Sequence, residues 1–144
     1  MEFFAKDFQE LTATQVYEIL KSRSQIFMLE QNIHCLDMDD VDYQSRHFFL
    51  WDKDRVVAYQ RAFYLESNII KIGRVLSLQH KRGLGTQLMK LSLQDIKRNM
   101  PCDKICVDAQ VQAIGFYEKM GFCVTSEAFM EEGIPHISME RKLK

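Results

Sequence analysis

The sequence lacks any apolar run close to the roughly 20 residues that a membrane-spanning helix requires. Its first residues place Glu2 and Asp7 close to Phe3 and Phe4, which is not the pattern of a signal peptide. The net charge is only −1, so no overall field would draw the protein to nucleic acid or to an anionic membrane. Internal repeats and linkers rich in Pro, Gly or Ser are also missing. We therefore expect one domain spanning residues 1–144, located in the cytoplasm, that binds neither nucleic acid nor membranes.

Metal-binding patterns are missing too. None of the four cysteines belongs to a CxxC pair, and no histidine lies at zinc-finger spacing. The acidic run Asp37, Asp39, Asp40 and Asp42 fails as an EF-hand loop, because the sixth and twelfth residues counted from Asp37 are Asp42 and Phe48 instead of Gly and Glu. The sequence predicts no metal, and we interpret all four cysteines as buried, reduced thiols.

Helix and strand signals, by contrast, are frequent. Thr12 and Gln15 form a capping-box pattern, which predicts a helix that continues to near Glu30. Runs rich in aromatic and β-branched residues predict strands further along the chain. These runs are HFFLW, RVVAYQRAFYL, NIIKIGRVLSL, KICVDA, FCVTSEAFM and HISMERKL.

Two more helices complete the predicted elements. One follows a glycine turn and stops at Asn99 and Pro101, and the other spans residues 111–120 and is closed by Gly121. The predicted order is strand, helix, three strands, helix, strand, helix, two strands. This order indicates an α/β (α+β) fold with a mixed sheet, because it departs from the strict alternation of a doubly wound dinucleotide fold.

A glycine turn lies in the stretch LQHKRGLGTQL, residues 78–88. The Rossmann fingerprint G-x-G-x-x-G fails here because its third glycine position is Leu88, and P-loop spacing is absent. Glycines let a ligand approach the backbone, the first helical turn offers unpaired N–H groups, and Lys81 and Arg82 add positive charge. These residues leave two interpretations open: a phosphate-binding turn, or a glycine-softened loop.

A second informative stretch is AQVQAIGFYEKMGF, residues 109–122, which follows the next predicted strand. It places Tyr117 inside a short helix, four residues before Gly121. The tyrosine is either a core residue with a satisfied hydroxyl or a functional group. The two stretches in this order are more specific together than either is alone.

Together, these stretches resemble the GNAT superfamily of acyl-CoA-dependent N-acetyltransferases. The resemblance is carried by the strand IGRVLSL, the turn HKRGLG and the helix AxxxFYEKMGF with Ala113 and Tyr117, and it covers essentially the whole chain. The segments EQNIHCLDMDD, SRHFF, IGRV and EEGIPHISM resemble the ElaA-like subgroup. Two positions depart from the usual pattern, with His80 in place of Arg or Gln and Gln110 in place of Asn. The implied fold is a central mixed, mostly antiparallel, twisted sheet flanked by helices.

The resemblance implies acetyl-CoA as a cosubstrate. Its pyrophosphate would bind backbone N–H groups of the glycine turn, and its pantetheine arm would lie in a gap where the strands GRVLSL and KICVDA splay apart. Backbone N–H groups at residues 76–78 would polarise the thioester carbonyl. The implied cofactor-binding residues are Leu76, Ser77, Leu78, Lys81, Arg82, Gly83, Leu84, Gly85, Thr86, Gln110 and Phe116.

The resemblance also implies that an acceptor amine attacks the acetyl group directly. Tyr117 would act as the general acid that protonates the leaving sulfur. Glu30 and His136 are both candidates for the base, although Glu30 could equally be a surface carboxylate and His136 a loop-bonded histidine. The candidate acceptor-binding residues are Gln31, Asp40, His47 and Arg74.

The acidic run has two interpretations as well: a solvated loop, or an acidic rim that attracts a cationic amine. Arg74 stands on an otherwise apolar strand, so we expect it to pair with a carboxylate, such as one from this run. The function expected is transfer of an acetyl group to a primary amine of a small molecule, peptide or protein. The alternative is a non-catalytic acyl-CoA sensor with the same fold, and either is compatible with a monomer or a homodimer.

Overall fold

A computed structural model describes residues 1–78 and 83–143 of the chain. Helix α1, Ala13–Arg23, begins where the capping box predicts it. The Gln15 backbone N–H donates to the Thr12 hydroxyl at 3.1 Å, and the Thr12 N–H donates to the Gln15 side-chain oxygen at 3.0 Å. A π-helical turn, Ser24–Glu30, extends the helix to the predicted end near Glu30.

A single sheet of eight strands forms the centre of the molecule. Its order is β1-β2-β3-β4-β5-β8-β6, with β7 paired to β8, and only the contact of β4 with β5 is parallel. The strands are β1 Glu2–Asp7, β2 Arg46–Asp52, β3 Arg55–Glu66, β4 Ile69–Ser77, β5 Lys104–Gln110, β6 Cys123–Val124, β7 Phe129–Glu131 and β8 Ile134–Lys142. The predicted mixed, mostly antiparallel sheet is therefore confirmed.

Helices cover both faces of this sheet. Helix α2, Leu84–Asn99, turns Leu88, Met89 and Ile96 into the main apolar cluster, which also contains buried side chains of β2, β3, β4 and β5. Helix α1 packs on the opposite face, where Ile19 joins a second apolar cluster with Phe49 and Tyr59. The third helix, α3, spans Ile114–Lys119 after a short 3-10 turn. In the described part of the chain, no helix is long and apolar enough to cross a membrane.

The segment FCVTSEAFM departs from the prediction of one continuous strand. It forms β6 and β7, separated by residues 125–128, and both pair with β8. The backbone pairing with β8 is interrupted because the Ser138 N–H donates to the Ser126 hydroxyl oxygen at 2.9 Å. In a continuous strand this N–H would donate to a backbone carbonyl instead. The predicted turn at Glu132 and Gly133 is confirmed, since both residues have positive φ angles, 50° and 75°.

The cysteine prediction is only partly right. Cys102 is buried and Cys106 is half-buried, but Cys35 and Cys123 are exposed. Cys35 lies in the loop after the π-helical turn, and Cys123 lies on β6 at the edge of the sheet. Among the described residues, no helix or strand packs over either cysteine. The apolar character of a cysteine side chain was therefore not sufficient to predict that it is buried. None of the four cysteines, all of which lie in the described part of the chain, forms a disulfide.

The two parallel strands separate towards their carboxyl ends. β4 and β5 pair only from Ile69 opposite Lys104 to Ile72 opposite Val107. Beyond this point β4 stays paired with β3 and β5 stays paired with β8, which leaves a gap in the middle of the sheet. The predicted splay of these strands is therefore confirmed.

A bulge in β4 lies beside this gap. Tyr59 faces Leu76 and Arg61 faces Gly73, so β4 has one more residue than β3 between these pairs. The extra length is taken up at Arg74, which has a left-handed φ of 54°. This conformation is costly for a residue with a Cβ atom, so it persists only where surrounding contacts hold it.

Candidate active site

A cavity of about 740 Å³ occupies the gap between β4 and β5 and opens between the π-helical turn and the β7–β8 hairpin. Ten of the predicted site residues line this one cavity. They are Glu30, Gln31, Arg74, Leu76, Ser77, Gly85, Gln110, Phe116, Tyr117 and His136. Leu78, Gly83, Leu84, Thr86, Asp40 and His47 are not among its lining residues, and Lys81 and Arg82 lie outside the described residues.

The start of α2 has the features that an anion-binding helix end requires. Gly83 is the N-cap with a φ of 72°, which a residue without a Cβ adopts at low cost. No side chain among the described residues caps this end, although the Gln87 N–H bonds to the Gly83 carbonyl at 3.0 Å. The N–H groups of Leu84, Gly85 and Thr86 therefore lie in an uncapped first turn, where the helix dipole favours an anion.

Tyr117 is held by the end of α3. The Gly121 N–H donates to the Glu118 carbonyl and the Phe122 N–H donates to the Tyr117 carbonyl, both at 3.0 Å, and Gly121 has a φ of 90°. This glycine-closed end packs the Tyr117 ring edge-on between Phe116 and Phe122, at centroid distances of 5.1 and 5.7 Å. The predicted role of Gly121 as the helix terminator is confirmed, and it fixes the direction of the tyrosine.

The Tyr117 phenol is a neutral group that is shielded from solvent. Its side chain is 5% exposed, and burial raises the pKa of the phenol above its ordinary value of 10.0. Within the described part of the chain its hydroxyl makes no hydrogen bond. The hydroxyl is thus protonated at neutral pH and available to a ligand in the cavity.

The backbone of β4 supplies N–H groups to the same gap. The Leu78 N–H donates to the Val57 carbonyl at 2.9 Å, so this predicted donor is already used within the sheet. Successive N–H groups along a strand point to alternate sides, which turns Leu76 towards β3 as well. The Ser77 N–H is therefore directed away from β3, whereas the bulge at Arg74 interrupts this alternation at Val75. Val75 lines the cavity but was not predicted, because the register of the strand is not visible in the sequence.

His136 lies across the cavity on β8, opposite Gln110 in the sheet register. Its Nδ1 is 2.7 Å from the Ile134 carbonyl oxygen, which can only accept, so Nδ1 carries a proton. In the neutral ring Nε2 is then an acceptor, and it lies 3.5 Å from a Glu131 carboxylate oxygen. Nε2 is therefore the nitrogen that is able to take up a proton. Gln110 in turn donates to the Gln31 side-chain oxygen at 3.0 Å.

Glu30, the other candidate base, differs in its surroundings. It lies at the end of the π-helical turn on the rim of the cavity and is exposed. His136 is only 7% exposed and stacks on Phe129 at 6.2 Å. The histidine is therefore the better shielded of the two groups.

The acidic run is bound to arginines. Arg23 bonds Asp37 and Asp42 at 2.7 Å each, and Arg61 bonds Asp39 at 2.6 Å and Asp42 at 3.0 Å. The hydrogen bond from Arg61 is the largest effect that lowers the pKa of the Asp39 carboxyl, to about 2.

Arg74 completes this network through Asp37 at 2.8 Å, which confirms the predicted pairing of Arg74 with a carboxylate. Three arginines thus face three aspartates. The run is therefore not a freely solvated loop: three of its four aspartates are paired with arginines, and Asp40 is exposed beside a smaller cavity.

Asp40 and His47 line a separate cavity of about 210 Å³ beside α1. His47 is 2% exposed, and its Nε2–H donates to the Asp42 carbonyl at 2.9 Å, so its Nδ1 accepts from the Tyr59 hydroxyl at 2.6 Å. Burial lowers the pKa of His47, which keeps the ring neutral. These contacts make His47 a structural residue in the described part of the chain, away from the large cavity.

Two charged residues that line the large cavity were not predicted from the sequence: Lys71 and Asp108. Lys71 on β4 bonds Asp108 on β5 at 2.8 Å, and the Ser138 hydroxyl donates to the same carboxylate at 3.0 Å. Both charged residues alternate with buried isoleucine and valine along their strands. That alternation was a usable signal for their position on one face. Among the described residues, no group of three or more His, Cys, Asp or Glu side chains is arranged to hold a metal ion.

Comparisons with known proteins agree with this geometry. The sequence model of the acetyltransferase (GNAT) domain matches residues 7–143. Protein ElaA of Escherichia coli (strain K12) is 34% identical over 140 residues, which cover 93% of this chain and 92% of ElaA. The crystal structure of Escherichia coli ElaA superimposes with a TM-score of 0.92 and 33% identity, covering 99% of this chain and 100% of that one.

Two further crystal structures extend the comparison. An acyl-CoA N-acyltransferase from Pseudomonas aeruginosa gives a TM-score of 0.92 at 31% identity, covering 98% of this chain and 99% of that one. An aminoglycoside 6'-N-acetyltransferase complexed with coenzyme A gives a TM-score of 0.72 at 13% identity, covering 99% and 97%, and this likeness concerns the fold alone. The fold, the splayed strands and the sequence together show that the chain belongs to the GNAT acetyltransferase family and resembles ElaA.

Proposed function

We propose that the protein transfers the acetyl group of acetyl-CoA directly to a primary amine of a small molecule, peptide or protein. The observation that carries this proposal is that one cavity, running through the gap in the sheet, contains Tyr117 and His136 and is bordered by β4. An acid, a base and a set of backbone donors are the three groups that transfer of an acyl group from sulfur to nitrogen needs.

Acetyl-CoA would bind with its pyrophosphate on the uncapped first turn of α2 and its pantetheine arm in the gap. This orientation would bring the thioester carbonyl to backbone N–H groups of β4 near the bulge, which would stabilise the negative charge of a tetrahedral intermediate. The coenzyme A in the aminoglycoside 6'-N-acetyltransferase structure supports this choice of ligand. Predicted contacts from Lys81 and Arg82 remain part of the proposal.

The acceptor amine would enter from the side of the π-helical turn and the β7–β8 hairpin. His136 Nε2 would take a proton from the amine as its nitrogen forms a bond to the carbonyl carbon. When the carbon–sulfur bond breaks, the Tyr117 hydroxyl would donate its proton to the departing thiolate. Gln31 and Glu30 would contact the acceptor at the entrance. A cytoplasmic location and a monomeric or dimeric state remain predictions.

A thermal-shift screen with acetyl-CoA, free CoA and ATP tests the binding step. Ligands of the native state raise the melting temperature, so both CoA compounds should raise it and ATP should raise it less. Absence of a shift with either CoA compound would contradict the proposal. Release of free thiol from acetyl-CoA in the presence of an amine library then distinguishes an enzyme from a non-catalytic acyl-CoA sensor.

A charge variant makes the binding test specific to the helix end. Thr86→Glu places a carboxylate in the first turn of α2, where it interacts favourably with the helix dipole by about 0.3–1 kcal/mol but repels a pyrophosphate. The free protein should keep or gain stability while its response to acetyl-CoA disappears. Gln94→Glu adds the same charge further along α2, at an exposed position, and should keep the full response.

A further inference from the structure

Asp37 connects two distant parts of the fold. Its Oδ2 accepts from Arg23 Nε at 2.7 Å and its Oδ1 accepts from Arg74 Nε at 2.8 Å. Its carbonyl oxygen also accepts from both guanidinium groups, at 3.1 and 2.9 Å. Four hydrogen bonds therefore meet at this one residue, two from α1 and two from β4.

The two arginines differ in how firmly they are held. The Arg23 side chain is completely buried, and a second bond, to Asp42, fixes it further. Arg74 is partly exposed and stands at the bulge in β4, with its left-handed φ of 54°. The rigid end of the connection is thus α1, and the strained end is the segment of β4 that borders the cavity.

The bulge immediately precedes the proposed oxyanion donors. Arg74 is followed by Val75, Leu76 and Ser77, which line the cavity, and β5 does not pair with this segment. A change at Arg74 would therefore shift the backbone N–H groups of this segment relative to a thioester bound in the cavity.

We propose that Asp37 and Arg74 are positioning residues, which tie the bulge in β4 to α1 and so hold the β4 backbone that borders the cavity in the orientation that the thioester requires. This inference rests on the proposed acetyl transfer. It also gives the acidic run a role, since Asp37 belongs to the loop that forms one wall of the acceptor side of the cavity.

The first test measures the bulge without any substrate. Asp37→Asn removes the charge from the junction, and hydrogen exchange followed by mass spectrometry should then show faster exchange in residues 31–45 and in residues 73–78. Asp95→Asn is the matched control, because Asp95 binds Arg46 through two bonds of 2.6 and 3.1 Å and neither residue lines the cavity. The control should leave exchange in residues 73–78 unchanged. Unchanged exchange there in Asp37→Asn would overturn the proposal.

The second test measures the reaction. Displacement of catalytic groups by about 1 Å costs up to roughly 100-fold in rate, so Asp37→Asn should lower kcat by roughly 10- to 100-fold while the KM for acetyl-CoA changes little. Arg74→Gly should have the same effect, although glycine suits the left-handed φ better than arginine does. A wild-type kcat in Arg74→Gly, or a change confined to the KM of the acceptor, would contradict the positioning role.

The double variant separates a shared role from general destabilisation. If both residues act through one connection, Asp37→Asn combined with Arg74→Gly should lower kcat no further than either change alone. Additive losses would overturn the proposal. If wild-type protein releases no thiol from acetyl-CoA, the proposed function fails, and the exchange measurement still decides whether Asp37 holds the bulge.

Discussion

Tyr117→Phe is the substitution that most directly tests the proposed chemistry, because it removes a single oxygen atom. The ring of Tyr117 packs against Phe116 and Phe122, and its hydroxyl makes no hydrogen bond within the described part of the chain. Loss of the hydroxyl therefore breaks no bond of the native fold. The free energy of unfolding should change by less than about 1 kcal/mol, and the melting temperature should respond to acetyl-CoA as in the wild type.

The expected effect on the rate is much larger. A positioned general acid contributes roughly 10²- to 10⁴-fold, which corresponds to about 3–5 kcal/mol in the activation free energy. The loss should fall on kcat, since the proton is needed only when the carbon–sulfur bond breaks. Burial raises the phenol pKa above 10.0, so Tyr117 should produce no decline in rate on the alkaline side below that value.

The assay is thiol release from acetyl-CoA at saturating amine, with kcat and the KM for acetyl-CoA measured separately. Tyr17→Phe is the control, because Tyr17 is 66% exposed on α1 and its hydroxyl should be irrelevant. An aryl thioester adds a second measurement: its thiol leaves without protonation, so the ratio of wild-type to variant kcat/KM should approach one. An unchanged kcat in Tyr117→Phe, or an equal loss with both thioesters, would refute the role of Tyr117 as the acid.

Three further changes test the base, the buried network and its response to acid. His136→Gln should lower kcat/KM by roughly 10²- to 10⁴-fold, the contribution of a positioned base, whereas Glu30→Gln should lower it much less; the reverse result would make Glu30 the base. Arg23→Met should lower the free energy of unfolding in urea by about 1.5–3 kcal/mol, because Asp37 and Asp42 each lose a charged hydrogen bond and keep only Arg74 or Arg61, and a loss below about 1 kcal/mol would contradict this. The bonds to Arg61 lower the pKa of Asp39 from 3.8 to about 2, so its contribution to stability is complete above the unfolded value and is lost as the pH falls through the folded one. Asp39→Asn should therefore flatten the loss of stability between about pH 4 and pH 2, measured by urea unfolding, and an unchanged slope would show that Asp39 does not supply it.

The helix ends and strands that the sequence predicted correctly depend on residues that are close to one another in the sequence. The capping box at Thr12, the terminating Gly121 and the glycine at the start of α2 each satisfy local backbone groups within about four residues, so their residue types are diagnostic. The strand runs were equally clear, because branched and aromatic residues fill both buried faces of the sheet. These local signals, taken in order, were sufficient for the fold.

The acceptor side could not be read in the same way. Arg23 and Arg74 both bind Asp37, although they lie 14 and 37 residues away from it in the sequence. No short sequence motif predicts contacts over such separations. His47 was expected in the pocket because it lies near the acidic run, yet the twist of β2 turns it into the core. Tertiary packing determines which carboxylate pairs with an arginine and which histidine faces a cavity.

Neutralisation of the acidic run has a chemical consequence for the acceptor. A lysine-like amine with a pKa near ~10.4 is almost wholly protonated at pH 7, and converting it to the reactive free base costs about 4–5 kcal/mol. Unpaired carboxylates at the entrance would bind the ammonium tightly, but they would raise its pKa and so hold it in the form that does not attack. With Asp37 and Asp39 paired to arginines, this wall of the cavity would place no unpaired aspartate beside the amine and so would not raise its pKa. The same ion pairs that fix the loop would thus favour the neutral amine. His136 would then remove a proton from its nitrogen during the attack on the carbonyl carbon.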